Sequence, residues 1–367
     1  MRLQQRSPEV QRLNMTSHSE FGHNTTAAEV ADAFDGQIKG RIVAITGVSK
    51  GGLGGAAALE FAKHDPELLI LVSRTQSKLE QIIADIKAIK PNADVKFVLV
   101  DLLSQASVRR AAEEINALAP RLDILVNNAA LTVYKRQYSP EGIEAQLAAN
   151  HIGPFLLTNL LKDRLVAAAK HSPAGATRVV NVSSEGHRAS PFRFHDYNCE
   201  GKPVPPEEAD TLQHWPEIFR QPAADGYLGF QAYGQSKTAN ILFTAGLNKR
   251  LAGTGVVSYA LHPGAIATEL SRSMGDSILS QIDEIMAQHN PKTIAEGTST
   301  TMVAALDPAL NSTSLEMEPV SSADRSIDVT GVYLDDCQIA KPESYAVDPT
   351  NAEKLWELSE ELVKQKF

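Results

Sequence analysis

The chain's dominant pattern, from Arg41 onward, alternates short runs that are apolar at nearly every position with longer amphipathic ones. Residues 41–46 (RIVAIT), 68–73 (LLILVS), 95–100, 122–126 (LDILV), 178–183 (RVVNVS) and 256–261 are the short runs, rich in β-branched side chains. Such runs predict strands covered on both faces, as in a parallel sheet. Between them, residues 56–63, 77–90, 107–119, 150–169 and 233–251 carry helical spacing. Strand and helix in strict turn indicate βαβ units, whose crossovers are almost always right-handed. The expected fold is therefore α/β, a single Rossmann-type doubly wound parallel sheet with helices on both faces. A short strand near 331–334 and a helix over 351–366 close the pattern, and no repeat or second core interrupts it.

Two stretches depart from this rhythm. Residues 188–229 are rich in Pro, Asp, Glu and Gly, with Phe192, Phe194, Trp215 and Phe219 scattered among them. Residues 298–328 begin as a helix to Leu306 and then turn Ser/Pro-rich. Long irregular connections inside a compact domain are commonly lids, binding loops or disorder. Residues 1–36 are polar and read as a flexible N-terminal extension, so the expected domain runs over 37–367, with 188–229 inserted on the substrate side.

Composition narrows the functional classes. Hydrophobic residues make up 43% of the chain, enough for a real core, and the net charge is −9 without any basic cluster. That balance gives no electrostatic reason to expect nucleic acid or an anionic membrane as a partner. No run approaches the roughly 18 apolar residues of a membrane span, and the N-terminus has no apolar core of a secretory signal. Its scattered Arg and Ser leave an organelle-targeting reading open. Two cysteines, Cys199 and Cys337, argue against a disulfide framework and for a reducing, cytoplasmic setting. His187, His195, His214 and His262 do not stand at metal-ligand spacing from Cys or carboxylates, so no metal is expected.

Candidate chemistry begins where the first strand hands over to a helix. Residues 46–54 (TGVSKGGLG) place Gly47, Ser49, Lys50, Gly52, Leu53 and Gly54 at that junction. A glycine cluster alone also fits a flexible loop. Between a strand and a helix, however, it lets backbone approach a pyrophosphate, which the helix N-terminus then binds. At the end of the second strand the chain has Ser73-Arg74 and no carboxylate. An acid there would favour NAD, whereas a guanidinium matches a 2′-phosphate, so NADP is expected. Lys50 would add a second cation and Lys78 a weaker one. Asp101 and Leu102 close the third strand beside the expected adenine. Asn128 and Ala129 follow Asn127 at the end of the fourth, where small residues admit a ribose. Pro263, Gly264, Ile266 and Thr268 follow the sixth strand and can wrap a nicotinamide with backbone groups.

Tyr233 and Lys237 are four apart on a predicted helix and share a face. A phenol's ordinary pKa, about 10, is too high for proton exchange near neutrality, and a nearby cation lowers it. Alone, such a pair also fits a helix surface. It has company: a hydroxyl at the end of the fifth strand (Ser183 or Ser184) and Asn150 opening another helical segment.

In this order, Thr46-Gly47 through Gly54, Asn127-Asn128-Ala129, Asn150, Ser184, Tyr233-x-x-x-Lys237 and Pro263-Gly264 resemble the short-chain dehydrogenase/reductase family. The resemblance covers about 39–275 and, more loosely, the C-terminus. Residues 150–155, 182–187 and 355–360 are most similar to retinol-dehydrogenase-like and fungal secondary-metabolism reductases. The resemblance implies a tetrad in which Tyr233 exchanges the proton, Ser184 polarises the carbonyl oxygen, Lys237 holds the nicotinamide ribose, and Asn150 anchors a relay water. It also implies a small-molecule carbonyl or alcohol substrate and a homodimer or homotetramer. Three departures stand out: one extra residue in the glycine loop, Ala130 where glycine is usual, and 49 residues between Ser184 and Tyr233. Two other readings fit parts of this pattern. A non-catalytic dinucleotide sensor would use the same fold, but an intact Asn/Ser/Tyr/Lys set argues against it. A methyltransferase would leave Tyr233, Lys237 and Arg74 unexplained.

Overall fold

The computed structural model describes residues 16–266, 281, 284–285, 290–311 and 332–367. The first element in it is helix α1 (Ala27–Ala33), opened by a capping box in which Thr26 and Glu29 satisfy each other's end of the first turn. Then come β1 (Ile42–Thr46), α2 (Leu53–Lys63), β2 (Leu68–Ser73), α3 (Gln76–Ile89), β3 (Val95–Leu99), α4 (Gln105–Leu118) and β4 (Ile124–Asn127). The next helical segment starts at Ala145–Leu147, widens into a π-turn over Ala148–Ile152 and continues as α5 (Gly153–Leu160) and α6 (Lys162–Ala169). The chain finishes with β5 (Thr177–Val182), α7 (Gly229–Arg250), β6 (Val256–Leu261), α8 (Ile294–Leu306), β7 (Tyr333–Asp335), β8 (Gln338–Ile339) and α9 (Pro349–Val363).

The strands form one sheet in the order β3-β2-β1-β4-β5-β6-β7-β8. All neighbours pair in parallel except β7 and β8, whose antiparallel hairpin the sequence pattern did not foretell. Alternate residues of each strand feed two separate cores, as period-two side chains must. Ile42, Ala44, Ile70 and Val179 pack with α4, α5, α7 and α9 on one face. Val43, Ile45, Leu71 and Val180 pack with α1, α2, α3 and α8 on the other. The strand order reverses direction between β1 and β4, and an open α/β sheet has its crevice at the carboxyl ends of such strands.

The N-terminal segment differs from expectation. From Thr16 on it is docked, not loose: Val30 and Ala31 are fully buried in the second core. Ser17 N donates to the Asp307 carboxylate at 2.7 Å, and Gln338 Nε2 donates to the carbonyls of His18 and Phe21. Residues 188–229 are likewise folded onto the body. They form four short helical turns, anchored by the buried Arg193–Asp196 pair and by Tyr227 donating to Glu144 at 2.7 Å.

Candidate active site

A cavity of about 910 Å³ opens at the carboxyl ends of the strands and runs from the glycine loop to the inserted segment. At its β1 end, Gly47 adopts φ +72, and a Cβ there would lie 2.6 Å from Ala129 Cα, so only glycine fits this close approach. The two loops are tied by Thr46 Oγ1, which accepts from the amides of Asn128 and Ala129. The Asn128 side chain donates back to Thr46 O at 2.9 Å. Gly52 caps α2 without a side-chain partner, so the first amides of α2 remain free to bind an anion. Gly47, Ser49, Gly52 and Leu53 line the cavity, as do Arg74, Lys78, Asp101 and Leu102. These features can accept the phosphates and adenosine of a dinucleotide.

Two residues expected to meet the cofactor stand off the cavity wall. Lys50 does not reach the cavity; its exposed ammonium pairs with Asp85 of α3 at 3.2 Å, because the loop turns that side chain outward. Gly54 is not on the cavity wall either. It packs beneath the loop, where a Cβ would stand 2.7 Å from Gly47 O. Pro263, Gly264 and Ile266 line the cavity after β6, and Thr268 lies outside the described residues.

Tyr233 and Lys237 enter from the buried face of α7, and Ser184 from just past β5. Ser184 faces the Tyr233 hydroxyl and is the group that pulls its pKa down. The ring fits because Gly186 faces it: a Cβ there would come within 3.0 Å of Tyr233 Cε1. The adjacent Ser183 has a different task, its hydroxyl donating to the Lys237 carbonyl at 2.8 Å. The Lys237 ammonium donates to Val182 O at 3.0 Å and sits 5.6 Å from the centre of the Tyr233 ring.

Burial dominates the electrostatics of this pair. It pushes the Tyr233 phenol up to about 12, against the pull of Ser184, and pulls the Lys237 ammonium down to about 7. The Lys237 ammonium, itself held down by burial, does not offset that rise.

Asn150 stands off the cavity wall, in the π-turn. Its Oδ1 accepts from Leu131 N, while Nδ2 donates to Leu131 O and to Ser236 Oγ at 3.0 Å. Both amide hydrogens are thus used to tie the loop after β4 to α7. The aromatic residues of 188–229 divide. Phe192 and Phe194 pack into or against the first core, while Trp215 and Phe219 reach the cavity. There they meet Phe230, a residue the sequence reading missed. Ring centres are 4.8 Å apart for Trp215–Phe230, 4.3 Å for Phe219–Phe230 and 6.3 Å for Phe230–Tyr233. The tyrosine hydroxyl therefore stands beside an apolar wall. Among the described residues, no helix is long and apolar enough to cross a membrane.

A family model described as short chain dehydrogenase matches residues 41–199. The chain is 34% identical over 327 residues to human retinol dehydrogenase 12, covering 89% of this chain and 87% of that one. It is 32% identical over 348 residues to the chloroplastic short-chain dehydrogenase TIC 32 A of Brassica napus, covering 94% and 95%. To oxidoreductase fscI of Fusarium equiseti it is 37% identical over 245 residues, 66% of this chain and 94% of that one. Among solved structures, an uncharacterised protein from Mycobacterium paratuberculosis superposes with a TM-score of 0.60 at 27% identity, covering 90% and 96% of the two chains. The NADP complex of Pseudomonas aeruginosa RhlG shares the fold, with a TM-score of 0.53 at 20% identity over 81% and 96%.

Proposed function

We propose, proceeding from the fact that this chain belongs to the short-chain dehydrogenase family, that it is an NADP(H)-dependent oxidoreductase interconverting a ketone or aldehyde with its alcohol on an apolar small molecule. One observation carries the reading. A single cavity joins a dinucleotide-binding end, with Gly47, Gly52 and Arg74, to the Ser184–Tyr233 pair and an aromatic wall.

When bound, the nicotinamide supplies or accepts the hydride. In reduction, Tyr233 gives its proton to the carbonyl oxygen while Ser184 donates a hydrogen bond to the same atom; in oxidation, Tyr233 takes the proton from the alcohol. Lys237 spends one of its three donors on Val182, leaving two for the nicotinamide ribose. A cationic nicotinamide near the Tyr233 phenol would supply the charge that lowers its pKa. Asn150 acts as a positioning residue, holding Leu131 and the first turns of α7 in register.

Arg74, exposed at the end of β2 with Ser73 and Thr75 rather than a carboxylate as its chain neighbours, supports NADP over NAD. The wall of Trp215, Phe219 and Phe230 supports an apolar substrate, and NADP usage supports reduction as the working direction. The two-cysteine content supports a reducing compartment such as the cytoplasm.

The test is consumption of NADPH over a panel of apolar aldehydes and ketones graded by size. Turnover of at least one by the wild type is expected, with Tyr233→Phe inactive yet still binding NADPH. Full activity in that variant would refute the mechanism.

A further inference from the structure

The cavity wall beside the loop after β6 carries a charge that the chemistry above does not use. Lys292 lines the cavity just ahead of α8, yet its side chain is only 1% exposed. Its stem lies across Gly264, where a Cβ would stand 2.6 Å from Lys292 Cδ, and its amide donates to Ala265 O at 2.8 Å. Lys292 is thereby fixed to the loop after β6. That loop reaches the glycine-loop helix: a Cβ on Gly297 would meet both Ile266, at 2.1 Å, and Leu53, at 3.3 Å. The ammonium pairs with Asp336 in the β7–β8 turn and finds no further acceptor among the described residues. An ammonium has three donors, and a buried one is costly unless they are used. Asp336 is held from its other side by His23 at 3.6 Å, and His23 in turn contacts Asn290. Lys50, the cation expected near the phosphates, is turned away to Asp85.

We propose that Lys292 is the cation that meets the dinucleotide's pyrophosphate, with Asp336 as the counter-ion that occupies the ammonium until the phosphates replace it. The assignment rests on the dinucleotide-binding reading above. Pyrophosphate is common to NADPH and NADH, so Lys292 differs in kind from Arg74, which would read only the 2′-phosphate.

The experiment is titration of the full-length protein with NADPH and with NADH by calorimetry, alongside thermal melting. Lys292→Met is expected to weaken both ligands by a similar factor, about ten- to a hundredfold, the scale of one charge-assisted bond. Lys292→Arg should regain most of that loss. Asp336→Asn should tighten both ligands, because the ammonium loses its competitor. Unchanged affinity in Lys292→Met, or a loss confined to NADPH, would overturn the proposal. If Lys292→Met does not fold, Asp336→Asn decides: weaker binding of both ligands would mark a purely structural pair. A wild type that binds neither dinucleotide would overturn this proposal and the functional reading together, whereas normal wild-type binding with an unaffected Lys292→Met sinks this proposal alone.

Discussion

Ser183 and Lys237 are joined by one hydrogen bond, and a second runs from Lys237 to the residue just before that serine. The serine hydroxyl donates to the lysine's backbone carbonyl at 2.8 Å, and the lysine's ammonium donates to Val182 O, one residue before that serine, at 3.0 Å. These bonds pin the end of β5 to the middle of α7, and they give two adjacent serines different work. Ser183 is spent on the scaffold. Ser184 is left beside the Tyr233 hydroxyl.

Separate outcomes follow for the two serines under the proposed function. Ser184→Ala should lower kcat by about a hundredfold or more, the usual scale for losing one donor to a developing oxyanion. Its affinity for NADPH should hold. Ser183→Ala should retain most activity and lose about 1 kcal/mol of stability, the usual worth of one buried hydrogen bond. Steady-state kinetics and urea melts on both variants decide it, and equal losses of kcat would remove the distinction.

Cofactor choice is tested at the end of β2. Arg74 is exposed there and lines the cavity, with Lys78 about one turn along. Replacing the guanidinium by a carboxylate, Arg74→Asp, repels a 2′-phosphate and offers an acceptor to a 2′-hydroxyl. The ratio of kcat/KM for NADPH over NADH should fall at least tenfold, on the scale of one bidentate charged contact. An unchanged ratio would take Arg74 out of that role.

Local pattern was enough wherever local forces decide the structure. β2 and β6 fall on the residues their apolar runs mark, because a strand buried on both faces has no polar position to blur its ends. Tyr233 and Lys237 share the buried face of α7 as their spacing requires, although that helix begins at Gly229, four residues earlier. It can start there because Gly229 has no Cβ to strike Val133 O, 2.5 Å away from where one would be. What stayed illegible depends on partners distant in the chain. Nothing near Thr16 announces that the segment following it will be strapped to Gln338 and Asp307. Nothing in the glycine loop announces that Lys50 will turn to Asp85. Lys292 belongs to no motif and becomes visible only when the loop after β6 folds against it. The two-residue strand β8 is shorter than any period can reveal.

Two buried histidines, His151 and His187, and the half-buried His262 make stability depend on pH. Burial holds His151 down to about 3, His187 to about 4 and His262 to about 3. In the unfolded chain each takes up a proton near its ordinary value of about 6.5. Between that pH and about 4 the unfolded state therefore binds more protons than the folded one, and stability falls as pH falls through this window. Each group contributes up to about 1.4 kcal/mol per pH unit, or roughly 2 kcal/mol by pH 5. Glu144, buried with its carboxyl held above the usual range, works in the opposite direction. Lys237, depressed to about 7, has the histidines' sign but acts mainly above that pH. The free energy of unfolding from urea melts should accordingly fall between pH 7 and pH 5, by roughly 2 kcal/mol for each ring held neutral. His151→Asn keeps a polar group facing Ser359, the hydroxyl His151 now meets at 2.8 Å, and removes one titrating ring. It should be less stable than the wild type at pH 7 yet show a shallower fall toward pH 5. Urea melts at half-unit pH intervals measure both slopes, and a wild-type midpoint that stays flat or rises on acidification would mean that these rings are not held neutral by burial.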